Sequence, residues 1–174
     1  YQGMADVPVA KAQVKVFDDW TREYRGDLGI ALSDNFGFLA FLRDFDKFYA
    51  KLFDGARHDS GSPIVWGEML IKHYQKLGID PMTKQAVFSN GLDIERAIEI
   101  HEYCKGKITD SYGVGTYLTC DVTDCKPMNI VVKLVRARIT ESREWNPCVK
   151  LSCDKGKTLG DKKKCDYLVS ILND

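Results

Sequence analysis

The chain has 174 residues, 44% hydrophobic and 29% charged, the usage of an ordinary globular protein long enough to bury a core. Its 25 Lys and Arg balance 25 Asp and Glu, which removes any sequence-wide electrostatic case for nucleic acid or an anionic membrane. No apolar run approaches the roughly 20 residues of a membrane helix, and no signal peptide is expected at the start.

From Ala10, apolar or large residues recur at Val14, Phe17, Thr21 and Tyr24, a rhythm that predicts a helix stopped by Gly26. Leu28 to Ser33 reads as a short buried strand that ends in Asp34-Asn35. Phe38, Leu42, Phe45, Tyr49 and Leu52 predict one further helical stripe, and Leu52-Phe53 an apolar run leading into the polar string Arg57 to Gly61. Pro63 suits the first turn of a helix whose stripe is Trp66, Leu70, His73 and Leu77, with Gly78 ending it. After a turn at Ile79 to Thr83, Lys84 to Phe88 is a strand broken by Asn90-Gly91. Asp93 can then cap a helix whose expected inner face is Ile94, Ala97, Ile98 and His101.

A fourth strand, near Ile108 to Tyr112, runs into Gly113-Val-Gly-Thr116. The grammar then changes. Met128 to Ile139 is a long β-rich run followed by Cys148 to Ser152 with no helix between, the pattern of an antiparallel pair in a different layer. Asp161 to Leu172 predicts a short last helix with Lys162-Lys-Lys164 on its wet side. Four βα units make half of an eight-stranded barrel, which takes about 250 residues. With Tyr1 as its first residue, the chain is expected to be a piece cut from a longer enzyme. In such parallel sheets ligands collect at the carboxyl ends of the strands.

The strand-end clusters differ in what they offer. Arg57-His-Asp-Ser-Gly61 is the densest polar string. It reads either as a solvated loop with a helix cap or as an anion site, since Arg presents a planar fork and Gly lets the backbone approach. Gly113-Val-Gly-Thr116 resembles a phosphate cradle, with exposed backbone N–H groups and a following helical turn. It lacks the third glycine of a dinucleotide fingerprint. Asp34 and Asn90 are single polar residues at strand ends and equally plain turn residues. His73 and His101 sit on helical stripes and read as packed imidazoles. Cys120-x4-Cys125 with Cys148-x4-Cys153 is too loosely spaced for an ordinary zinc site, so no metal is assigned to the thiols. The six cysteines read as reduced thiols in a cytoplasmic protein.

Taken together, Leu32-Ser-Asp34, Phe53-Asp-Gly-Ala-Arg-His-Asp-Ser-Gly-Ser-Pro63, Val87-Phe-Ser-Asn-Gly-Leu-Asp93, Tyr112-Gly-Val-Gly-Thr-Tyr-Leu-Thr-Cys-Asp121 and Lys126-Pro-Met-Asn-Ile-Val-Val-Lys-Leu134 resemble nicotinate phosphoribosyltransferase, in order and at suitable spacing. Val149-Lys-Leu-Ser152 and Gly156-Lys-Thr158 extend the likeness, which covers nearly the whole chain and looks like the C-terminal half of that enzyme. The resemblance implies an α/β fold: part of an irregular, TIM-like α/β barrel over residues 1–126. A C-terminal antiparallel β segment and short helix of a flanking mixed domain follow over residues 127–174. It implies transfer of ribose 5-phosphate from phosphoribosyl pyrophosphate to nicotinate, coupled to ATP hydrolysis, with Mg2+, in a homodimeric enzyme of NAD salvage.

Carried over by motif, the resemblance places Arg57 beside the pyridine carboxylate and the product phosphate. Asp59 and Ser60 would contact ribose or hold the loop, with Gly61 permitting close approach. Asn90 and Gly91 would line the phosphoribosyl site, Gly113, Gly115 and Thr116 would bind the 5′-phosphate, and Asp34 would act near the reacting ribose or its metal. The family's catalytic histidine motif matches none of His58, His73 or His101, so the chain alone is expected to be inactive. Tyr117 stands where relatives often carry a basic residue. A quinolinate- or nicotinamide-using relative and a non-catalytic phosphate-binding half-barrel are the other readings.

Overall fold

Four short parallel strands alternate with helices: β1 (Ile30–Leu32), β2 (Gly55–His58), β3 (Gln85–Phe88) and β4 (Thr109–Tyr112) pair in the order β1-β2-β3-β4. The structure is a computed structural model and describes residues 7–128, 130, 132–138, 140–141, 144–152 and 158–172. Asn129, Val131, Ile139, Cys153 and Gly156, parts of the motifs and strands expected from sequence, lie outside the described residues. The chain forms two units, one of Leu28–Ser33 with Asp46–Val131 and one of Tyr1–Asp27, Asp34–Phe45 and Val132–Asp174.

The first of these holds the sheet, with α3 (Lys47–Leu52), α4 (Pro63–Lys76), α5 (Ile94–Cys104) and the single turn α6 (Thr116–Thr119). Side chains alternate across a strand, so each strand offers one residue in two to the helices. Ala56 and His58, Ala86 and Phe88 are buried on that side, where the Trp66 ring of α4 meets Phe88 edge-on at 5.3 Å. Leu70, Tyr74, Ile100 and Ile108 complete this core. The Trp66 indole N–H donates to the Ser33 hydroxyl at 2.9 Å, and that hydroxyl donates to the Arg57 carbonyl at 2.7 Å. Lys84 is buried as well. Its ammonium donates to the carbonyls of Lys51 and Phe53 at 2.9 and 2.7 Å, which satisfies a charge that burial otherwise disfavours.

The caps explain where helices begin. Ser62 and Pro63 open α4, and the Asp93 carboxylate accepts from the Arg96 N–H at 2.7 Å to open α5. The stripe from Phe38 to Leu52 is not one helix. α2 (Phe38–Asp44) ends at Phe45, and Asp46 starts α3 by accepting from the backbone N–H groups of Phe48 and Tyr49 at 2.8 and 3.3 Å. A strong N-cap inside an apolar rhythm restarts the helix. Two expected faces also shift. In α4 the buried side chains are Pro63, Trp66, Leu70, Ile71 and Tyr74, with His73 only half-buried. In α5 they are Ile100 and Cys104, while Ile94, Ile98 and His101 are exposed.

The other unit contains α1 (Ala12–Tyr24), α2, β5 (Arg136–Ala137), β6 (Asn146–Pro147) and α7 (Lys162–Leu172). Phe17 of α1 packs edge-on against Phe41 and Phe45 at 5.9 and 5.7 Å, and Gln13 donates to the Ala40 carbonyl at 3.2 Å. α1 ends one residue before the expected glycine, at a left-handed Arg25 (φ 52°), with Gly26 at φ 110° behind it. β5 and β6 are an antiparallel pair, as expected of this region, but β5 is far shorter than the run from Met128 suggests, and its partner is Asn146–Pro147, just before the expected Cys148 to Ser152. Lys150 bridges Leu159 in the same sense, and Leu151, Cys165 and Leu168 form a small core with Val9, Phe36 and Val149. Asp161 caps α7 by accepting from the Lys164 N–H at 2.8 Å.

Candidate functional site

The sheet register decides which sequence clusters become neighbours. Leu32, Arg57, Val87 and Ser111 are paired in one row across the four strands, and His58, Phe88 and Tyr112 in the next. β2, β3 and β4 therefore end at one level, and the segments 59–61, 89–91 and 113–115 leave the sheet side by side. Arg57 and His58 lie within β2, not in the loop where sequence placed them. Alternation then separates them: His58 turns into the helix-covered core, while Arg57 faces the opposite side with its side chain 44% exposed.

Each loop is held by bonds that sequence gave no means of seeing. The His58 carbonyl accepts from the backbone N–H and the hydroxyl of Ser89, and the His58 ring Nε2 lies 3.2 Å from the Gly61 carbonyl. The Phe88 carbonyl accepts from the Gly113 N–H at 2.8 Å. His58 and Ser89 lie inside the strings read from sequence, but no role was given to them there, and the structure makes both of them holders of the loops. The available signal was the period of β2, which turns His58 inward.

Within the 59–61 segment, Asp59 Oδ1 stands 3.5 Å from an Arg57 guanidinium nitrogen. The Ser60 hydroxyl is buried and has no hydrogen-bond partner among the described residues, so it can still serve a ligand. Gly61 takes φ +78° and Gly91 φ +58°, and a Cβ at either would meet nothing within 4 Å. Their need for glycine is thus one of backbone conformation rather than space. Asn90 is half-buried beside Gly91.

The glycine-rich loop divides its work. The Gly113 N–H is already taken by Phe88, and a Cβ there would stand 3.2 Å from Ser89 Cβ. Gly113 therefore seats the loop against its neighbour. Beyond it, the N–H groups of Val114, Gly115 and Thr116 have no protein acceptor among the described residues. Such a run of open donors suits an anion. α6 is a single turn, too short for a dipole argument. Thr116 is exposed at its start, with the Thr119 hydroxyl donating to the Gly115 carbonyl at 3.1 Å. Tyr112, just before the loop, stacks on Phe88 and donates to Asp110 at 2.5 Å. Burial, then that bond, pushes its phenol above the usual range, so it stays a neutral donor.

Asp34 lies two residues past the end of β1 and belongs to the other unit. Its side chain is buried, and neither carboxylate oxygen has a hydrogen-bond partner among the described residues. A carboxylate in that state calls for a cation or a hydroxyl ligand. Among the described residues no three His, Cys, Asp or Glu side chains converge as a metal cluster. No helix of the described residues is long and apolar enough to cross a membrane.

The chain is similar over nearly its full length to one family: the model described as the nicotinate phosphoribosyltransferase (NAPRTase) family matches residues 2–174. The nicotinate phosphoribosyltransferase of Desulforapulum autotrophicum is 48% identical over 153 residues, 88% of this chain and 39% of the relative. Nicotinate phosphoribosyltransferase 2 of Pseudomonas aeruginosa is 52% identical over 146 residues, 84% of this chain and 35% of the relative. The crystal structure of nicotinate phosphoribosyltransferase from Porphyromonas gingivalis matches with a TM-score of 0.90 at 38% identity, over 95% of this chain and 43% of that one. The chain spans less than half the length of each of these relatives.

Proposed function

The chain belongs to the nicotinate phosphoribosyltransferase family, and we propose that it supplies the base- and phosphate-binding wall of an enzyme that transfers ribose 5-phosphate from phosphoribosyl pyrophosphate to nicotinate in NAD salvage. The observation that carries this reading is the common level at which β2, β3 and β4 end, which sets an arginine, a buried free hydroxyl and a run of open backbone donors along one sheet edge. In fold terms, the parallel sheet is part of an irregular, TIM-like barrel. Residues 1–126 contribute to the barrel and residues 127–174 to a flanking mixed domain.

Arg57 is proposed to pair with the nicotinate carboxylate and the product phosphate, for which its planar fork is suited. The N–H groups from Val114 to Thr116 hold the 5′-phosphate, with Gly113 seating the loop against Ser89 and Gly115 leaving the approach open. Ser60, Gly61, Asn90 and Gly91 line the ribose. The pyridine nitrogen attacks the anomeric carbon, the carbon–oxygen bond to pyrophosphate breaks, and both electrons of that bond leave with pyrophosphate. Positive charge then builds on the sugar, where Asp34 and Asp59 act by electrostatic stabilisation. A held base and a held phosphate make the attack effectively intramolecular.

The residues present fit Mg2+, because Asp34 is a buried carboxylate with both oxygens unengaged and this ion takes one or two carboxylates together with substrate phosphates. When bound, the ion neutralises charge on the departing pyrophosphate. ATP enters as a co-substrate of the whole enzyme, for which no residue of this chain is assigned. A homodimer and a cytoplasmic setting complete the proposal.

The test is nicotinate mononucleotide formation by the protein that carries this sequence, followed by mass spectrometry with nicotinate, nicotinamide or quinolinate as acceptor. The expected result is use of nicotinate alone, with Arg57→Ala raising KM for nicotinate roughly 10- to 100-fold through loss of a charge-assisted pair. Use of nicotinamide or quinolinate instead, or an unchanged KM in the variant, overturns the assignment.

A further inference from the structure

Four residues beyond the glycine-rich loop, at Cys120, the chain carries a feature that the transferase reading does not use. Cys120 and Cys125 approach each other with their sulfurs 3.8 Å apart. Cys120 follows α6 and donates its N–H to the Thr116 carbonyl at 2.8 Å. The chain then turns back: the Cys125 N–H donates to the Val122 carbonyl at 3.1 Å, and Asp124 sits in the left-handed region at φ 65°. The turn, not chance proximity, brings the thiols together.

We propose that Cys120 and Cys125 form a reversible dithiol–disulfide site, oxidised by low-molecular-weight disulfides of the glutathione class. A disulfide needs its sulfurs about 2.05 Å apart. The remaining movement is within reach of side-chain rotation, because Cys125 is exposed, Cys120 is half-buried, and neither lies inside a helix or strand. Only four residues separate the pair, so the second thiol is held at high local concentration once the first has reacted.

The chemistry balances without any other reagent. The Cys120 or Cys125 thiolate attacks oxidised glutathione, forms a mixed disulfide and releases one glutathione thiolate. The second cysteine thiolate attacks the protein sulfur of that mixed disulfide and releases the other. Two protein thiols lose two electrons and two protons, and one oxidised glutathione becomes two reduced molecules. The remaining described cysteines are poorer candidates. Cys104 and Cys165 are buried, and burial pushes both thiols up, Cys104 to about 11. Cys148 is half-buried, and its sulfur contacts the Asn146 carbonyl rather than a second thiol.

The experiment is disulfide mapping of the native, unmodified protein. It is equilibrated in glutathione buffers of graded ratio, quenched with acid, alkylated and digested for mass spectrometry. The expected product is a 120–125 linked peptide that appears before any other cysteine is modified and is reversed by dithiothreitol. In Cys125→Ser the expected product is a glutathione adduct on Cys120 instead. Independent alkylation of Cys120 and Cys125 at the most oxidising ratio overturns the proposal. So does pairing of either with Cys148 or Cys153.

Discussion

Ser89 donates twice to the carbonyl of His58, through its backbone N–H at 3.2 Å and its hydroxyl at 2.9 Å. The first bond continues the β2–β3 pairing, and the second adds a side-chain clasp where the two strands release their loops. Ser89→Ala removes the clasp and keeps both the N–H bond and the Cβ that faces Gly113. The expected cost is about 1 kcal/mol, the net worth of one neutral hydrogen bond. Urea unfolding of the variant and the parent reads it directly, as a lowered midpoint at unchanged slope. A midpoint equal to the parent's would mean that the backbone bond alone holds the junction.

Asp34 is buried and both its oxygens lack hydrogen-bond partners among the described residues. Left in that state, a carboxylate costs stability, because its desolvation is not repaid. Asp34→Asn keeps the shape and removes the charge. The protein is therefore expected to gain resistance to urea while losing turnover by about two orders of magnitude, the scale of one electrostatic contact made in the transition state. Such opposed changes are the signature of a site kept for function at the expense of stability. Lowered stability together with unchanged turnover would remove Asp34 from the catalytic assignment.

Strand and helix order were legible because each βα unit switches period, and the turn chemistry at Asn90-Gly91 and Gly113 marks where strands stop. The second strand was misread for a local reason. Gly55-Ala56 carries no apolar signature, and glycine reads as a turn, yet a Cβ at Gly55 would collide with the Gln85 carbonyl on the neighbouring strand. Glycine is there for close strand approach, a requirement set by β3 and invisible within its own segment. The same limit hid the site's internal bonds. His58 and Ser89 are joined only because β2 and β3 share a register, and register depends on the partner strand. Helix faces were misjudged in α5 because Ile94, Ile98 and His101 form as good a stripe as Ile100 and Cys104 do. Hydrophobicity alone does not say which stripe meets the sheet.

Cys104 gives a prediction with a definite sign. It is fully buried at the end of α5, and burial, with a smaller contribution from nearby Asp110, raises its thiol from 9.0 to about 11. The folded protein therefore holds this proton more tightly than the unfolded chain does. The contribution to stability is complete below pH 9 and is lost as pH rises from 9 towards 11, because the unfolded thiol ionises first. Tyr74 and Tyr112, both raised chiefly by burial, act in the same direction above pH 10, while Lys84, lowered by burial, opposes them. Comparing the parent with Cys104→Ala cancels these shared contributions. The variant is expected to start with a lower urea midpoint at pH 7, because it leaves a small void, and to lose less than the parent between pH 9 and 11. Parallel curves over that interval would show that the Cys104 thiol does not couple to folding. The native thiol should also resist maleimide at pH 8 while exposed Cys125 reacts, which separates a buried neutral thiol from one that is merely slow.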